Sequence, residues 1–241
     1  MARRPTAVQI AYIVWTGSFI PLGDRALTVD LSDADDVPVR GVVRALATRL
    51  ATDAPRGVTA LVPAVQSLTI HYDPQLTSYD TLRDHVDAAF ATLEILRESQ
   101  AEPIVIPVCY GGEFGPDLTD VAAAHHTSPD AIVAAHVDGL YTVAMIGFLP
   151  GFPYLEGLAP TLHTPRRSTP RTAVPAGSVG IGGGSTGVYP FTSPGGWHII
   201  GRTPRALFAP QRQRPSLLQT GDRVRFVAIT PAALRSLMEQ P

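Results

Sequence analysis

Apolar residues recur along the first hundred positions with two distinct periods. Val39, Val42, Val43, Leu46 and Leu50 fall on one face of a 3.6-residue repeat, which predicts an amphipathic helix. Tyr79, Leu82, Val86, Phe90 and Leu93 predict a second helix, with Thr77 or Ser78 as its N-cap. Residues 8–14, 26–31, 58–62 and 67–72 are rich in β-branched and apolar types and read as strands. The resulting order is β-β-α-β-β-α, with another strand at 104–109. It predicts a ferredoxin-like α/β sandwich over residues 1–100.

After Pro103 the texture changes. Short helical patterns at 117–126 and 129–137 give way to brief β runs such as 141–146, separated by glycine and proline. Eleven of the 23 prolines lie from Pro150 to Pro215, and proline breaks the helical hydrogen-bond ladder. Gly221-Asp222 reads as a turn into a late strand at 223–227. Short strands joined by tight turns predict a β-barrel over residues 101–241, and an α+β protein as a whole.

Composition narrows the chemistry. All 19 cations are arginine, so a Schiff-base lysine and a Walker-A loop are excluded. The single cysteine, Cys109, excludes an internal disulfide and a cysteine zinc cluster. No apolar run approaches the ~18 residues of a membrane helix, and the start of the chain reads as a strand rather than a signal peptide. A cytoplasmic location is the expectation. Charge is divided unevenly. Residues 1–165 hold 9 Arg against 19 Asp and Glu, whereas residues 166–241 hold 10 Arg against only Asp222 and Glu239. A basic half can attract an anionic ligand or an acidic partner, or it can pair internally with the acidic half.

Several short motifs fail on context. Residues 182–187 match G-x-G-x-x-G, but Val188-Tyr189-Pro190 cannot open the helix that would receive a pyrophosphate. The same residues match G-x-S-x-G through Ser185, yet no histidine follows His198 and the triad order is wrong, so Ser185 reads as a turn serine. Residues 117–137 resemble a helix-turn-helix, but no arginine occurs between Glu98 and Pro165 to meet phosphates, so nucleic acid is not expected. His125, His126 and His136 lack metal-ligand spacing, and no metal site is expected.

Residues 147–204 carry the candidate chemistry. Phe152, Tyr154 and Trp197 are expected as exposed aromatic walls. Arg166, Arg167 and Arg171 can clamp a carboxylate or phosphate through paired donors. Gly195 and Gly196 allow backbone to approach a ligand closely, and His198 is the candidate proton carrier.

The runs Gly147-Phe148-Leu149-Pro150-Gly151-Phe152-Pro153-Tyr154-Leu155, Pro165–Arg171, Val174–Val179 and Ser193–Pro204 resemble the signature of the family of 5-oxoprolinase B subunits. The similarity extends to Pro107–Leu118 and, more weakly, to Gly23–Leu27 and Ser67–Pro74. That family is grouped with the Kip inhibitor of a sporulation histidine kinase and with part of the carboxyltransferase region of urea carboxylase. It was long labelled allophanate hydrolase subunit 1. The resemblance implies a ferredoxin-like domain followed by a cyclophilin-like β-barrel. It also implies two partners, the C subunit of 5-oxoprolinase, which has related barrel architecture, and the A subunit. Together they would open 5-oxo-L-proline to L-glutamate using ATP. Kinase inhibition and an accessory role in urea or allophanate metabolism are the alternatives that it carries.

Overall fold

A computed structural model describes residues 17–32, 39–93 and 102–239. The strand expected at 8–14 lies outside them. The chain divides into two compact units, Met1–Glu98 and Ser99–Pro241.

The first unit contains β1 (Ser18–Leu22), β2 (Ala26–Asp30), α1 (Val39–Asp53), β3 (Val58–Pro63), β4 (Ser67–Tyr72) and α2 (Tyr79–Ala91). Its sheet runs β1-β2-β4-β3 with antiparallel neighbours throughout. Since β2 and β3 both flank β4, they run parallel and are joined through α1, the split β-α-β of a ferredoxin-like sandwich. The edge place beside β2 is taken by β1, which comes before β2 in the chain. Pro21 obscures β1 in the sequence, because proline lacks the ladder donor, but an edge strand tolerates it. Leu27 and Val29 of β2 and Leu68 and Ile70 of β4 alternate onto the face that buries Leu46 and Leu50 of α1 and Val86 and Phe90 of α2. The Ser78 hydroxyl caps α2 by accepting from the Thr81 amide.

The second unit is built on a closed barrel. In chain order it contains β5 (Ile104–Tyr110), α3 (Leu118–Ala124), α4 (Pro129–Asp138), β6 (Tyr141–Ile146), β7 (Pro153–Glu156), β8 (Arg171–Val174), β9 (Ser178–Gly182), β10 (Ser185–Val188), β11 (Ser193–Gly195), β12 (His198–Arg202), β13 (Arg223–Ala228) and α5 (Pro231–Met238). Seven strands close in the order β10-β7-β6-β13-β5-β12-β9, and β8 pairs with β11 in a separate ribbon. The late strand β13 lies parallel to β5 and antiparallel to β6, so the C-terminal segment closes the barrel. Ile106, Val143, Leu155, Val179, Ile200 and Phe226 fill the interior.

A small polar network is built into that interior. His136 of α4 is fully buried against Tyr141 and Phe226. The Thr186 hydroxyl donates to the Gly180 carbonyl at 3.0 Å, so its oxygen accepts from His136 Nε2 at 2.9 Å. Nδ1 is then left to accept from the Tyr110 hydroxyl at 2.8 Å. Burial disfavours the imidazolium and lowers the His136 pKa to about 3. His136 is a neutral, satisfied core histidine.

Candidate functional site

Three elements of the barrel unit meet around one carboxylate. The loop from Gly111 to Asp117 is clamped to β12 by two backbone bonds, Gly111 N–H to the Ile200 carbonyl at 3.0 Å and Asp117 N–H to the Ile199 carbonyl at 2.9 Å. Gly111 and Gly112 take positive φ values of 70° and 53°, conformations that favour glycine, to make this turn. Gly115 has no room for a side chain, because the Ile200 carbonyl occupies the Cβ position. The loop delivers Asp117, which is 2% exposed.

Asp117 collects four donors. Arg171 binds it bidentately, with Nη1 to Oδ2 and Nη2 to Oδ1 both at 2.7 Å. Arg167 Nη1 donates to Oδ1 at 3.0 Å, and the Ile199 amide donates to Oδ2 at 2.6 Å. Burial alone would raise the Asp117 pKa. The hydrogen bonds from Arg171 and Ile199 and the charges of both arginines outweigh it and hold the carboxyl below its usual value. Asp117 was not singled out in the sequence. It stands 50 and 54 residues from the two arginines, and its place before α3 reads as a helix cap.

The arginine segment is zipped onto the strand that follows the ribbon. Arg167 N–H donates to the Gly196 carbonyl at 2.8 Å, and His198 Nε2 donates to the Pro165 carbonyl at 3.0 Å. A carbonyl only accepts, so Nε2 carries a proton, and in the neutral tautomer Nδ1 is the nitrogen with the lone pair. His198 Nδ1 and Arg167 Nε are both buried without a hydrogen-bond partner. Arg166 is exposed.

The sequence-derived residues therefore separate. Arg166, Arg167, Arg171, Gly196 and His198 come together. Arg171 has both terminal nitrogens on Asp117, so pairing with the acidic half describes it and, in part, Arg167. Among the aromatics the expectation of exposure needs correction: Phe152 is 1% and Trp197 5% exposed, and only Tyr154 is half-buried. Phe152 packs edge-on against Tyr189 at 5.1 Å and Trp197 at 5.5 Å, with Tyr154 tilted at 5.0 Å. The glycines make room for these rings. A Cβ on Gly182 would lie 2.6 Å from the Trp197 indole, and one on Gly195 would strike the Tyr189 ring. Gly195 thus admits a side chain of the protein itself, while Gly196 has only ordinary contacts about it. The Tyr189 phenol is shifted upward by burial, and the Trp197 backbone and the charges of Arg166 and Arg171 oppose that shift. This links the aromatic cluster to the arginine segment.

Two exposed phenylalanines of the barrel unit, Phe148 and Phe191, were not singled out in the sequence. Phe148 is 59% exposed and holds a φ of 68°, rare for a bulky residue. Its ring stands edge-on to Phe152 at 5.5 Å. No sequence pattern predicts positive φ at phenylalanine. Among the described residues no three His, Cys, Asp or Glu side chains gather to hold a metal ion, and no helix is long and apolar enough to cross a membrane.

A closed barrel and a separate four-stranded sheet define the class. Residues 18–218 match the family described as carboxyltransferase domain, subdomain C and D. The urea carboxylase of Kluyveromyces lactis shares the fold, with a TM-score of 0.75 at 18% identity over 92% of this chain and 22% of that one. More specifically, the chain is 41% identical to the B subunit of 5-oxoprolinase from Bacillus subtilis, over 91% of this chain and 95% of the relative. The chain belongs to the family of 5-oxoprolinase B subunits. A crystal structure of TTHA0988 superimposes with a TM-score of 0.74 at 37% identity, and this chain covers only 40% of that longer one.

Proposed function

We propose that the chain is the B subunit of a multi-subunit, ATP-dependent 5-oxoprolinase that opens 5-oxo-L-proline to L-glutamate in the cytoplasm. Its partners are the enzyme's C subunit, of related barrel architecture, and its A subunit. The site is shared with the C subunit. The observation that carries this reading is the 41% identity to a 5-oxoprolinase B subunit over nearly the whole of both chains.

The chemistry suits the cluster. A lactam is resonance-stabilised and a poor electrophile. Transfer of the terminal phosphoryl group of ATP to its oxygen, with ADP leaving and the lactam N–H proton lost, makes the ring carbon an electrophile. Water adds there, the C–N bond breaks as nitrogen takes up protons, and a second water releases phosphate from the acyl phosphate to leave glutamate. The substrate carboxylate and the transferred phosphoryl group are both anions. Arg166 and Nη2 of Arg167 supply donors for either, and arginine stabilises such charge best where water is scarce. His198, with its Nδ1 lone pair, is the candidate proton acceptor. Tyr154 borders the cluster through its contact with Trp197 at 5.7 Å. Without lysine the chain has no P-loop, so ATP serves as co-substrate of the assembly.

The test is co-purification of the native chain from its own cells, followed by assay of the isolated chain and of the assembly with ATP and 5-oxo-L-proline. The expected result is glutamate from the assembly and none from the chain alone. Steady turnover by the isolated chain overturns the shared site, and an assembly that never forms glutamate overturns the activity.

A further inference from the structure

Asp117 occupies the N-cap position of α3, yet its side chain accepts no bond from the helix. An aspartate there ordinarily caps. Here the carboxylate is turned to Arg167, Arg171 and the Ile199 amide instead. Both oxygens are occupied and the group is 2% exposed, so it offers nothing to a ligand directly. What it does is hold two guanidinium groups still. Arg171 gives both terminal nitrogens to the grip, whereas Arg167 gives one and keeps Nη2 uncommitted and Nε buried without a partner. Asp117 is the carboxylate in contact with both guanidiniums, exposed Asp120 acts on Arg171 as well, and Arg166 leaves the cluster net positive. The unpartnered buried Nε costs free energy that the Asp117 contact offsets, and Nη2 is the nitrogen left to donate to an anion.

We propose that Asp117 is a positioning residue. It presets Arg167, on the segment zipped to Gly196 and His198, to receive one carboxylate or phosphoryl oxygen, with Arg171 as the strut that keeps Asp117 ionised and in place. This rests on the anion-binding reading of the site above. Asp117 touches no substrate. Its effect is carried through Arg167, because a long arginine side chain must otherwise lose its rotamer freedom when the ligand arrives.

The experiment uses the assembled complex and chemical rescue. Arg167→Ala is expected to lower kcat/KM at least tenfold, mainly through KM for the anionic substrate. Millimolar methylguanidinium is expected to restore a substantial part of it, because Asp117 still presents the socket. In the double variant Arg167→Ala/Asp117→Asn the rescue is expected to vanish. Asp117→Glu, which keeps the charge but displaces it, takes the place of Asn should the first double variant not fold, and is expected to weaken rescue likewise. Equal rescue with and without native Asp117, or no rescue in Arg167→Ala alone, overturns the positioning role while leaving the anion site standing. Full activity of Arg167→Ala itself removes the anion site and the inference together.

Discussion

Two clusters of ion pairs among the described residues of the N-terminal unit stay in water. Arg49 and Asp53 meet at 2.9 Å with both side chains about half exposed, and Arg83 pairs with Asp80 and Asp84 on an equally open helix face. In the barrel unit Arg171 and Asp117 meet at 2.7 Å with the carboxylate sealed from solvent. The distances are nearly the same, but the consequences differ. An exposed pair exchanges water for a partner and gains ~0–1 kcal/mol, whereas a buried carboxylate deprived of its partner is left without water or counter-charge. The same contrast holds for apolar packing. The sandwich buries mostly aliphatic side chains between helices and sheet, while the ribbon side of the barrel buries mostly rings over glycine backbone.

Four experiments put this contrast at risk, taken in order of expected stability effect. Trp197→Ala should destabilise by ~3–5 kcal/mol, since glycines 180, 182 and 187 cannot fill the space left by the indole. Chemical denaturation of the purified chain measures it, and a loss under ~1 kcal/mol would mean that the ring is not core.

Arg171→Ala should cost roughly 2 kcal/mol by taking two charge-assisted hydrogen bonds from buried Asp117, which keeps Arg167 and the Ile199 amide, while Arg49→Ala should change stability by less than about 0.5 kcal/mol. Similar values for both variants would dissolve the distinction between the units. Lysine at 171 should recover only part, because it lacks the planar fork that fits both oxygens.

Acid should act on the barrel first. His136 has its folded pKa depressed to about 3 from 6.5. Between those values the unfolded chain binds a proton that the folded chain does not. Stability therefore falls as pH falls, by about 1.4 kcal/mol per unit. Asp117, also depressed when folded, adds its loss as pH drops below its unfolded value of about 3.9. Unfolding free energy measured from pH 7 to 4 should show the slope, and His136→Gln should flatten it. An unchanged slope in that variant would place the titration elsewhere.

The smallest stability effect belongs to Arg166. Exposed as it is, Arg166→Ala should stay within about 0.5 kcal/mol of the native chain yet lower activity of the assembly by one to three orders of magnitude. Normal turnover by a stable, assembled variant would remove Arg166 from the site.

Much of the fold was legible because periodicity is local. The 3.6-residue repeat from Val39 to Leu50 and the capped run after Ser78 became α1 and α2, and the runs at 104–109, 141–146 and 223–227 became β5, β6 and β13. β1 was missed because Pro21 and a largely exposed face erase the usual strand signal. β9 is buried at every position and so shows no alternation to read. At the site, the cluster of Arg166, Arg167, Arg171 and His198 was visible as residue types in a proline-bounded stretch. Asp117 was not, since nothing local marks a cap residue whose carboxylate points away from its helix.

The order of residues is enough to say which groups are available: arginine as the sole cation, a basic second half, a glycine-spaced set of rings and one histidine beside them. Which of those groups remain free depends on the folded chain. Closing the barrel presses the loop at Gly111–Asp117 onto β12, and this brings a carboxylate to Arg171 across 54 residues and to the Ile199 amide across 82. A charge spent on a buried partner and a charge left for a ligand are the same residue type in the chain. Only the long-range contact, made possible by the loop's backbone bonds and by the absence of a side chain at Gly115, tells Arg171 from Arg166.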